Sequence, residues 1–210
     1  MARPSKFWDK HAKGYAKRPV ADEAAYQNKL QVTQDYLKPD MEVLEFGCGT
    51  GTTAIIHAPF VRHIRAIDIS GKMLEIARAK AEAGGIKNVT FERASIEGLA
   101  VADATYDAVM GHSILHLLED KKSAIASVHR MLKPGGVFIT STACLGGMMP
   151  ALRVVLRVIL PVGRFFGLLP LVKFFTKEEL ERDLTDAGFR IDYQWQPGKG
   201  KSVFIVAKKA

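Results

Sequence analysis

The sequence predicts an α/β fold of the doubly wound type, in which helices cover both faces of a mostly parallel sheet. From residue 41 onward, short β-rich runs alternate with helical patterns, which is the order typical of parallel sheets. A glycine-rich loop follows the first β-rich run, at the end of the strand where such sheets bind ligands. The length of 210 residues and the apolar content of 48% favour one domain with a large core, spanning 1–210.

The elements follow in order from the local patterns. The predicted strands lie at residues 41–46, 63–68, 88–93, 106–110, 137–141, 189–196 and 202–207. A helix-like stretch to about His57 follows the first strand, and apolar residues at helical spacing mark three further helices: Met73, Leu74, Ala77 and Ala81; Ile125, Val128 and Leu132; and Leu180, Leu184 and Ala187. Gly84-Gly85 should end the first of these three, and Lys133-Pro-Gly-Gly136 should end the second and start the fifth strand. Pro197-Gly-Lys-Gly200 is short enough to join the last two strands as a hairpin.

Two segments lie outside this alternation. Residues 1–38 are expected to form a helical N-terminal extension, because Tyr26, Leu30, Thr33 and Leu37 recur at helical intervals. Residues 145–175 form an apolar and basic insert after the fifth strand.

Composition excludes several classes of protein. The apolar and charged fractions are those of globular chains rather than of disordered or collagen-like ones. With only Cys48 and Cys144, a disulfide framework is not expected, which favours a reducing compartment. The first ten residues lack the uninterrupted apolar core of a signal peptide, so we expect a cytoplasmic protein.

The net charge of +8 is unevenly distributed. Residues 121–177 contain nine Lys and Arg and no Asp or Glu, and the rest of the chain is close to neutral. Such a field attracts anionic lipid, nucleic acid or an acidic substrate, and charge alone does not choose among these partners or a plain solvated face.

The strongest motif is Val43-Leu-Glu-Phe-Gly-Cys-Gly-Thr-Gly51, which places three glycines at alternate positions after an apolar strand. Glycine lets the backbone approach a ligand closely. The motif departs from the dinucleotide-binding fingerprint Gly-x-Gly-x-x-Gly, because position 52 is Thr rather than Gly. It is not a Walker loop either, because no Gly-Lys-Ser/Thr follows. Asp68 ends the second strand 21 residues after Gly47, where a carboxylate can accept hydrogen bonds from ribose hydroxyls. Alone, Asp68 would more often be a helix cap, but the glycine loop upstream favours the ligand role.

Five segments together resemble the class I S-adenosylmethionine-dependent methyltransferases. They are the glycine motif, Ala66-Ile-Asp-Ile-Ser70, Tyr106-Asp-Ala-Val-Met110, Leu115-His-Leu-Leu118 and Met131-Leu-Lys-Pro-Gly-Gly136, in this order over about residues 41–142. The resemblance is closest to the branch that acts on small molecules, lipids and quinones. It implies a Rossmann-like, doubly wound, seven-stranded sheet with an antiparallel C-terminal pair, and S-adenosyl-L-methionine as the cofactor.

The resemblance also implies cofactor contacts. These are Tyr15, Glu45, Gly47, Cys48, Gly49, Gly51, Asp68, Ile69, Met73, Ser95, Ile96 and His112. Within this set Asp68 would hold the ribose, Ile69, Met73 and Ile96 would flank the adenine, and Glu45 would orient the loop or meet the amino group of the methionine through water. The family usually has an acidic residue where Ser95 stands, and the serine hydroxyl would make the same hydrogen bond to adenine more weakly. Tyr15 would close over the methionine end, with simple packing as its alternative role.

Two histidines are the candidates for general base. His112 follows the predicted fourth strand and His116 lies four residues later, and imidazole titrates near neutrality. The alternatives are a backbone-only role for His112 and a surface position for His116, because positioning alone can suffice for methyl transfer. No cluster with metal-ligand spacing accompanies them, so no metal is expected.

The apolar insert bears on the acceptor and on partners. Prolines 150, 161 and 170 interrupt it, so it is not expected to span a bilayer, while Arg153, Arg157 and Arg164 share one helical face. A substrate lid, a peripheral contact with anionic membrane at the inner face, a helical hairpin packed on the core and a homodimer face are the alternatives.

The expected activity is methyl transfer to a small apolar or amphipathic acceptor, such as a lipid, a quinone precursor or another hydrophobic metabolite. Two alternatives stay open, a nucleic-acid or protein methyltransferase and a non-catalytic cofactor-binding protein. Gly111-His-Ser-Ile114 lacks the Asn/Asp-Pro-Pro-aromatic motif of exocyclic-amine methylation, and Cys144 lacks the preceding proline of pyrimidine-carbon methylases, which disfavours nucleic acid.

Overall fold

The computed structural model describes residues 4–147, 159–160, 162–163, 168–198 and 200–210. Within these residues one sheet contains seven strands in the order β3-β2-β1-β4-β5-β7-β6. The strands are β1 (Glu42–Phe46), β2 (His63–Asp68), β3 (Val89–Arg93), β4 (Tyr106–His112), β5 (Leu132–Thr142), β6 (Phe189–Trp195) and β7 (Val203–Lys209). Strands β1 to β5 pair in parallel, and β7 pairs antiparallel with both β5 and β6. The predicted fold class is therefore confirmed.

Six helices are assigned in this part of the chain. They are α1 (Pro4–Ala16), α2 (Glu23–Tyr36), α3 (Thr52–His57), α4 (Gly71–Ala83), α5 (Lys121–Met131) and α6 (Lys177–Asp186). Four of them begin at a side chain that accepts a hydrogen bond from the backbone three residues later: Asp22, Ser70, Asp120 and Thr176. Such caps satisfy amides that the helix itself leaves unpaired, so the starts of these helices are encoded locally.

The core lies on both faces of the sheet. Leu44, Phe46 and Phe138 pack on one face with α5 and α6, and Val43, Ile64 and Phe204 pack on the other with α4. Because both faces are covered, the central strands are apolar almost without interruption. Full burial of each large side chain contributes about 1.5–3 kcal/mol, so these layers hold the strand ends in fixed positions.

The structure corrects the predicted boundary between α5 and β5. Leu132 is not the last core residue of the helix but the first residue of β5, fully buried and paired with Tyr106. The pairing then moves to Ala108 with Val137, so residues 133–136 form an irregular segment within the strand rather than a turn before it. Burial of Leu132 against β4 outweighs the local turn preference of Pro-Gly-Gly. Strand β4 continues to His112, two residues past its predicted end.

The N-terminal segment contains two helices. Helix α2 occupies the predicted segment, and Leu37 is its C-terminal cap. Helix α1 precedes it and packs against α4, where Asp9 accepts hydrogen bonds from the Ser70 hydroxyl at 2.7 Å and the Lys72 backbone amide at 3.1 Å.

The insert is described only in part. The predicted basic face of Arg153, Arg157 and Arg164 lies outside the described residues. Among the helices that the structure does describe, none has the length and apolarity needed to cross a bilayer.

Candidate functional site

A cavity of about 500 Å³ opens at the carboxyl ends of β1 to β4. Each of these strands contributes residues at or just after its carboxyl end, including Gly47, Asp68, Ser95 and His112. In open parallel sheets this edge is where ligands bind, because the helix N-termini and loops converge there. Nine of the predicted contacts line this cavity: Tyr15, Gly47, Gly49, Asp68, Ile69, Met73, Ser95, Ile96 and His112.

The glycine loop adopts a backbone conformation that other residues rarely take. Gly47, Gly49 and Gly51 have φ angles of 65°, 54° and 70°. A Cβ on Gly47 would lie 2.7 Å from Ile114 at the cavity wall, whereas a Cβ on Gly51 would lie 2.7 Å from Phe91 in the core. Gly47 therefore keeps the cavity open, while Gly51 does not line it and serves close packing of the loop on β3.

Asp68 fixes the loop and faces the cavity at the same time. Its Oδ2 accepts a hydrogen bond from the Gly49 amide at 2.9 Å, and its Oδ1 accepts one from the Ser70 amide at 2.8 Å. Burial raises the pKa of this carboxyl, and backbone hydrogen bonds at Ser70, Gly49 and Ile69 oppose that shift. Since each carboxylate oxygen has a second lone pair, Asp68 can still accept one hydrogen bond per oxygen from a ligand.

Glu45, the fourth residue of β1, is a buried acid without a partner for one of its oxygens. The side chain is 2% exposed, and its Oε2 makes no hydrogen bond within the described residues. Burial, and then the negative charge of Asp68, raise the pKa of Glu45 to about 8. A cationic group beside Glu45 would restore both the missing hydrogen bond and the ionised form.

The walls on the far side of Asp68 are apolar. Ile69 follows Asp68 directly, Met73 lies on the first turn of α4, and Ile96 is 4% exposed in a short turn after β3. The Ser95 hydroxyl caps that turn by accepting a hydrogen bond from the Glu97 amide at 3.4 Å. Together these side chains form a slot suited to a flat ring, with Ser95 as a polar group at its edge.

The two histidines take different positions. His112 lies at the carboxyl end of β4, with its ring parallel to that of Phe204 at 6.5 Å, and its buried Nε2 has no hydrogen-bond partner within the described residues. Burial, followed by the nearby charges of His57 and Lys29, lowers the pKa of His112 to about 3. The ring is therefore neutral at pH 7 and would hold an accepted proton weakly. His116 lies in the turn Leu115–Leu117 and does not line the cavity.

A second cavity of about 170 Å³ adjoins the first. The two share Tyr15, Gly47, Gly49, His112 and Ser113 in their walls. Glu45 and Cys48 line only the second cavity, which places these two predicted contacts behind the glycine loop. Burial raises the pKa of the Cys48 thiol, so Cys48 is not an activated nucleophile.

Several lining residues were missed from the sequence. Trp8 of α1 and Arg93 line the larger cavity, as do Leu117, Leu118, Pro170 and Leu171 on its apolar side. Leu117 and Leu118 belong to the motif Leu115-His-Leu-Leu118, and Pro170 and Leu171 belong to the insert, so these positions were the available signal. Lys29 and His57 line the smaller cavity, and neither belongs to a motif that indicated it.

No group of three or more potential metal ligands occurs among the described residues. The expectation that the protein binds no metal stays a prediction.

A family model described as a methyltransferase domain matches residues 37–187 of the chain. An uncharacterized methyltransferase, YcgJ of Bacillus subtilis (strain 168), is 30% identical over 110 residues, which are 52% of this chain and 44% of the relative. The demethylmenaquinone methyltransferase of Symbiobacterium thermophilum is 31% identical over 127 residues, which are 58% of this chain and 49% of that protein. The matched segment thus spans about half the length of these curated relatives.

The fold recurs among solved structures. A crystal structure of a methyltransferase, so named on provisional grounds, from Bacillus halodurans C-125 superposes with a TM-score of 0.72 at 19% identity and covers 87% of this chain and 99% of that one. At this identity the likeness concerns the fold.

Proposed function

The chain belongs to the methyltransferase domain family, and from that premise we propose that it transfers the methyl group of S-adenosylmethionine to a small apolar or amphipathic acceptor. The proposal rests on one observation: the glycine loop, the Asp68 carboxylate and an apolar slot line the same cavity. When bound, the sulfonium donor supplies a methyl group that is already activated, so the main task of the protein is alignment.

The residues of the cavity fit this donor part by part. The free lone pairs of Asp68 would accept from the two ribose hydroxyls, and Ile69, Met73 and Ile96 would flank the adenine. Ser95 would meet the edge of that ring. The backbone of Gly47 would lie against the methionine part, because no Cβ intervenes.

Oε2 of Glu45, which has no hydrogen-bond partner within the described residues, is the sharpest test of fit. A buried carboxyl oxygen without a hydrogen bond is costly unless a ligand completes it. The cationic amino group of the donor would supply the missing contact to Oε2, directly or through water. Tyr15, whose ring lies 3.8 Å from the position of a Cβ on Gly49, would cover the same end.

Catalysis would depend on alignment more than on proton transfer. His112 lies where the two cavities meet, and its neutral imidazole can orient an acceptor by one hydrogen bond. With a pKa of about 3, His112 is a weak base, so the role that we assign to it is primarily to position the acceptor. His116 lies away from both cavities, and we assign it no catalytic role.

The acceptor would be apolar in part, because the larger cavity has an apolar side formed by Leu117, Leu118, Pro170 and Leu171. The last two residues belong to the insert, which supports its role as a substrate lid. Ile159, Val162 and Leu168 of the same insert are more than half exposed. We propose that this surface contacts an anionic membrane or a second copy of the chain. Sedimentation with vesicles detects the membrane contact, and equilibrium ultracentrifugation detects the second copy.

The proposal is tested by calorimetric titration with S-adenosylmethionine and S-adenosylhomocysteine. We expect micromolar binding, and a loss of at least tenfold in Asp68→Ala, because that variant removes the ribose acceptors and releases the Gly49 amide. Asp40→Ala, an exposed site, is the matched control and should bind normally. Absence of binding by the folded wild type would refute the proposal. Release of S-adenosylhomocysteine with a panel of phenols, quinols and fatty acids then identifies the acceptor class.

A further inference from the structure

The smaller cavity has an unusual set of unsatisfied polar groups. His57 is fully buried, and neither of its ring nitrogens has a hydrogen-bond partner within the described residues. The buried Nε2 of His112 is also without a partner. Buried imidazoles normally find a partner, because an unmade hydrogen bond costs about 1–3 kcal/mol. These nitrogens belong to two residues that line one cavity, and each neutral ring has one N–H with which a hydrogen-bond acceptor of a ligand would pair.

The same cavity contains a positive charge. Lys29 of α2 is half-buried, and its ammonium contacts the Ser141 hydroxyl at 3.4 Å. Lys29 forms no ion pair with any carboxylate in the described part of the chain, although Glu45 lines the same cavity. Burial lowers the pKa of Lys29, and the charge of Asp22 opposes that shift without cancelling it.

The charge balance favours a monoanion. The pKa values of His57 and His112 are lowered to about 4 and about 3 by burial, so both rings are neutral at pH 7. Among the described residues that line the cavity, Lys29 is then the one cation, and each neutral imidazole offers one N–H donor. A carboxylate matches one positive charge with several donors, whereas a phosphate dianion would leave a buried charge uncompensated.

The position of the cavity relates it to the transferred methyl group. It meets the larger cavity at Gly47, Gly49 and His112, beside the part of the donor assigned to the glycine loop. Its volume of about 170 Å³ is close to that of an engineered cavity of about 150 Å³ that binds benzene. A small acid, or the acidic end of a larger acceptor, is the size of molecule that fits.

We propose that this second cavity is an acceptor subsite that binds a carboxylate, with Lys29 supplying the positive charge and the rings of His57 and His112 supplying N–H donors. The inference rests on the proposed methyl transfer and adds the chemical class of the acceptor. An amphipathic acceptor would place its acidic end here and its apolar part toward Leu117 and Leu171.

The test uses two probes of equal size that differ in charge, benzoate and benzamide. Their binding to the whole chain is measured by calorimetry with and without saturating S-adenosylhomocysteine. We expect benzoate to bind in the millimolar range and benzamide at least tenfold more weakly. Equal binding of the two probes, or no binding of benzoate, would overturn the inference.

Variants at Lys29 assign the charge. Lys29→Met should weaken benzoate binding by about tenfold to a hundredfold, as the loss of a charge-assisted hydrogen bond predicts, and Lys29→Arg should largely retain it. Lys38→Met removes an exposed lysine just after α2 and should have no effect. An unchanged benzoate affinity in Lys29→Met would contradict the assignment. Melting temperatures of the three variants verify that each is folded.

A further experiment distinguishes whether the carboxylate bound by Lys29 belongs to the acceptor or to the donor. Affinities of Lys29→Met for S-adenosylhomocysteine and for methylthioadenosine, which lacks the amino-acid part, should both stay within twofold of wild type. Weaker binding of S-adenosylhomocysteine alone would assign Lys29 to the donor and overturn the acceptor subsite. If S-adenosylhomocysteine does not bind the wild type at all, the methyl-transfer proposal fails. The benzoate titration in the absence of S-adenosylhomocysteine still tests whether the second cavity binds a carboxylate.

Discussion

Glu45 is the buried side chain that we expect to couple donor binding to the release of a proton. Its pKa of about 8 means that the carboxyl is about 90% protonated at pH 7. A cation placed at Oε2 favours the ionised form and lowers that pKa. Donor binding is therefore expected to release a proton.

We predict a release of about 0.9 proton per bound S-adenosylhomocysteine at pH 7. The measurement is calorimetry in buffers of different ionisation enthalpy. Glu45→Gln should abolish the dependence on buffer, while the exposed Glu75→Gln should preserve it. The same dependence in Glu45→Gln and wild type would show that another group loses the proton.

The glycine loop allows a second prediction about single residues. Gly51→Ala places a methyl group 2.7 Å from Phe91 at a φ of 70°, so it combines overpacking with backbone strain. Gly85→Ala has a similar φ of 66° and open space around its Cβ. Urea denaturation should show a cost of about 1 kcal/mol for Gly85→Ala and roughly 2–4 kcal/mol for Gly51→Ala. Equal costs would show that packing against Phe91 adds nothing.

Among the elements, α1 connects the N-terminal segment to the cavity. Asp9 holds α1 against the start of α4, and Trp8 and Tyr15 of the same helix line the larger cavity. The helix has only Ala12 fully buried. Docking through a few polar contacts makes α1 the element most ready to open for ligand exchange.

Asp9→Ala should release α1 from α4. Loss of two hydrogen bonds to a charged acceptor is worth about 2 kcal/mol, which predicts roughly 30-fold faster amide exchange in α1 and a severalfold weaker affinity for S-adenosylhomocysteine. Lys10→Ala, an exposed neighbour on the same helix, is the control. Unchanged exchange in Asp9→Ala would mean that Phe7 and Trp8 alone hold the helix.

For the whole molecule, buried titratable groups set how stability depends on pH. His57 and His112 have pKa values of about 4 and about 3 in the folded chain, against about 6.5 unfolded. The unfolded chain thus binds more protons below pH 6.5, and the free energy of unfolding falls as the pH falls toward 4 and 3. Glu45 acts in the opposite direction, because its raised pKa costs stability as the pH rises toward 8.

We predict that His57→Gln removes roughly 3 kcal/mol of the change in unfolding free energy between pH 6.5 and pH 4. Urea denaturation of the variant and wild type across this range makes the comparison. Parallel pH profiles for the two proteins would contradict a neutral, buried His57.

The sheet, the glycine loop and the places of Asp68, Ile69 and Ser95 could be predicted from the amino-acid sequence. These features are local, because each residue lies at or just after the end of a strand, and the carboxyl ends of parallel strands meet at one edge. Hydrophobic runs and helix caps fix those strands and helices from a few neighbouring residues. Prediction was least accurate at Leu132, where burial against β4 decided between helix and strand.

The second cavity and the positions of the two histidines depend on tertiary packing and could not be predicted from the sequence. Lys29 and Ser141 are 112 positions apart and meet because α2 packs near the end of β5. Likewise, His112 lines both cavities while His116, four residues later, lines neither. Burial, lost hydrogen bonds and shifted pKa values arise from such non-local packing, which residue spacing along the chain does not encode.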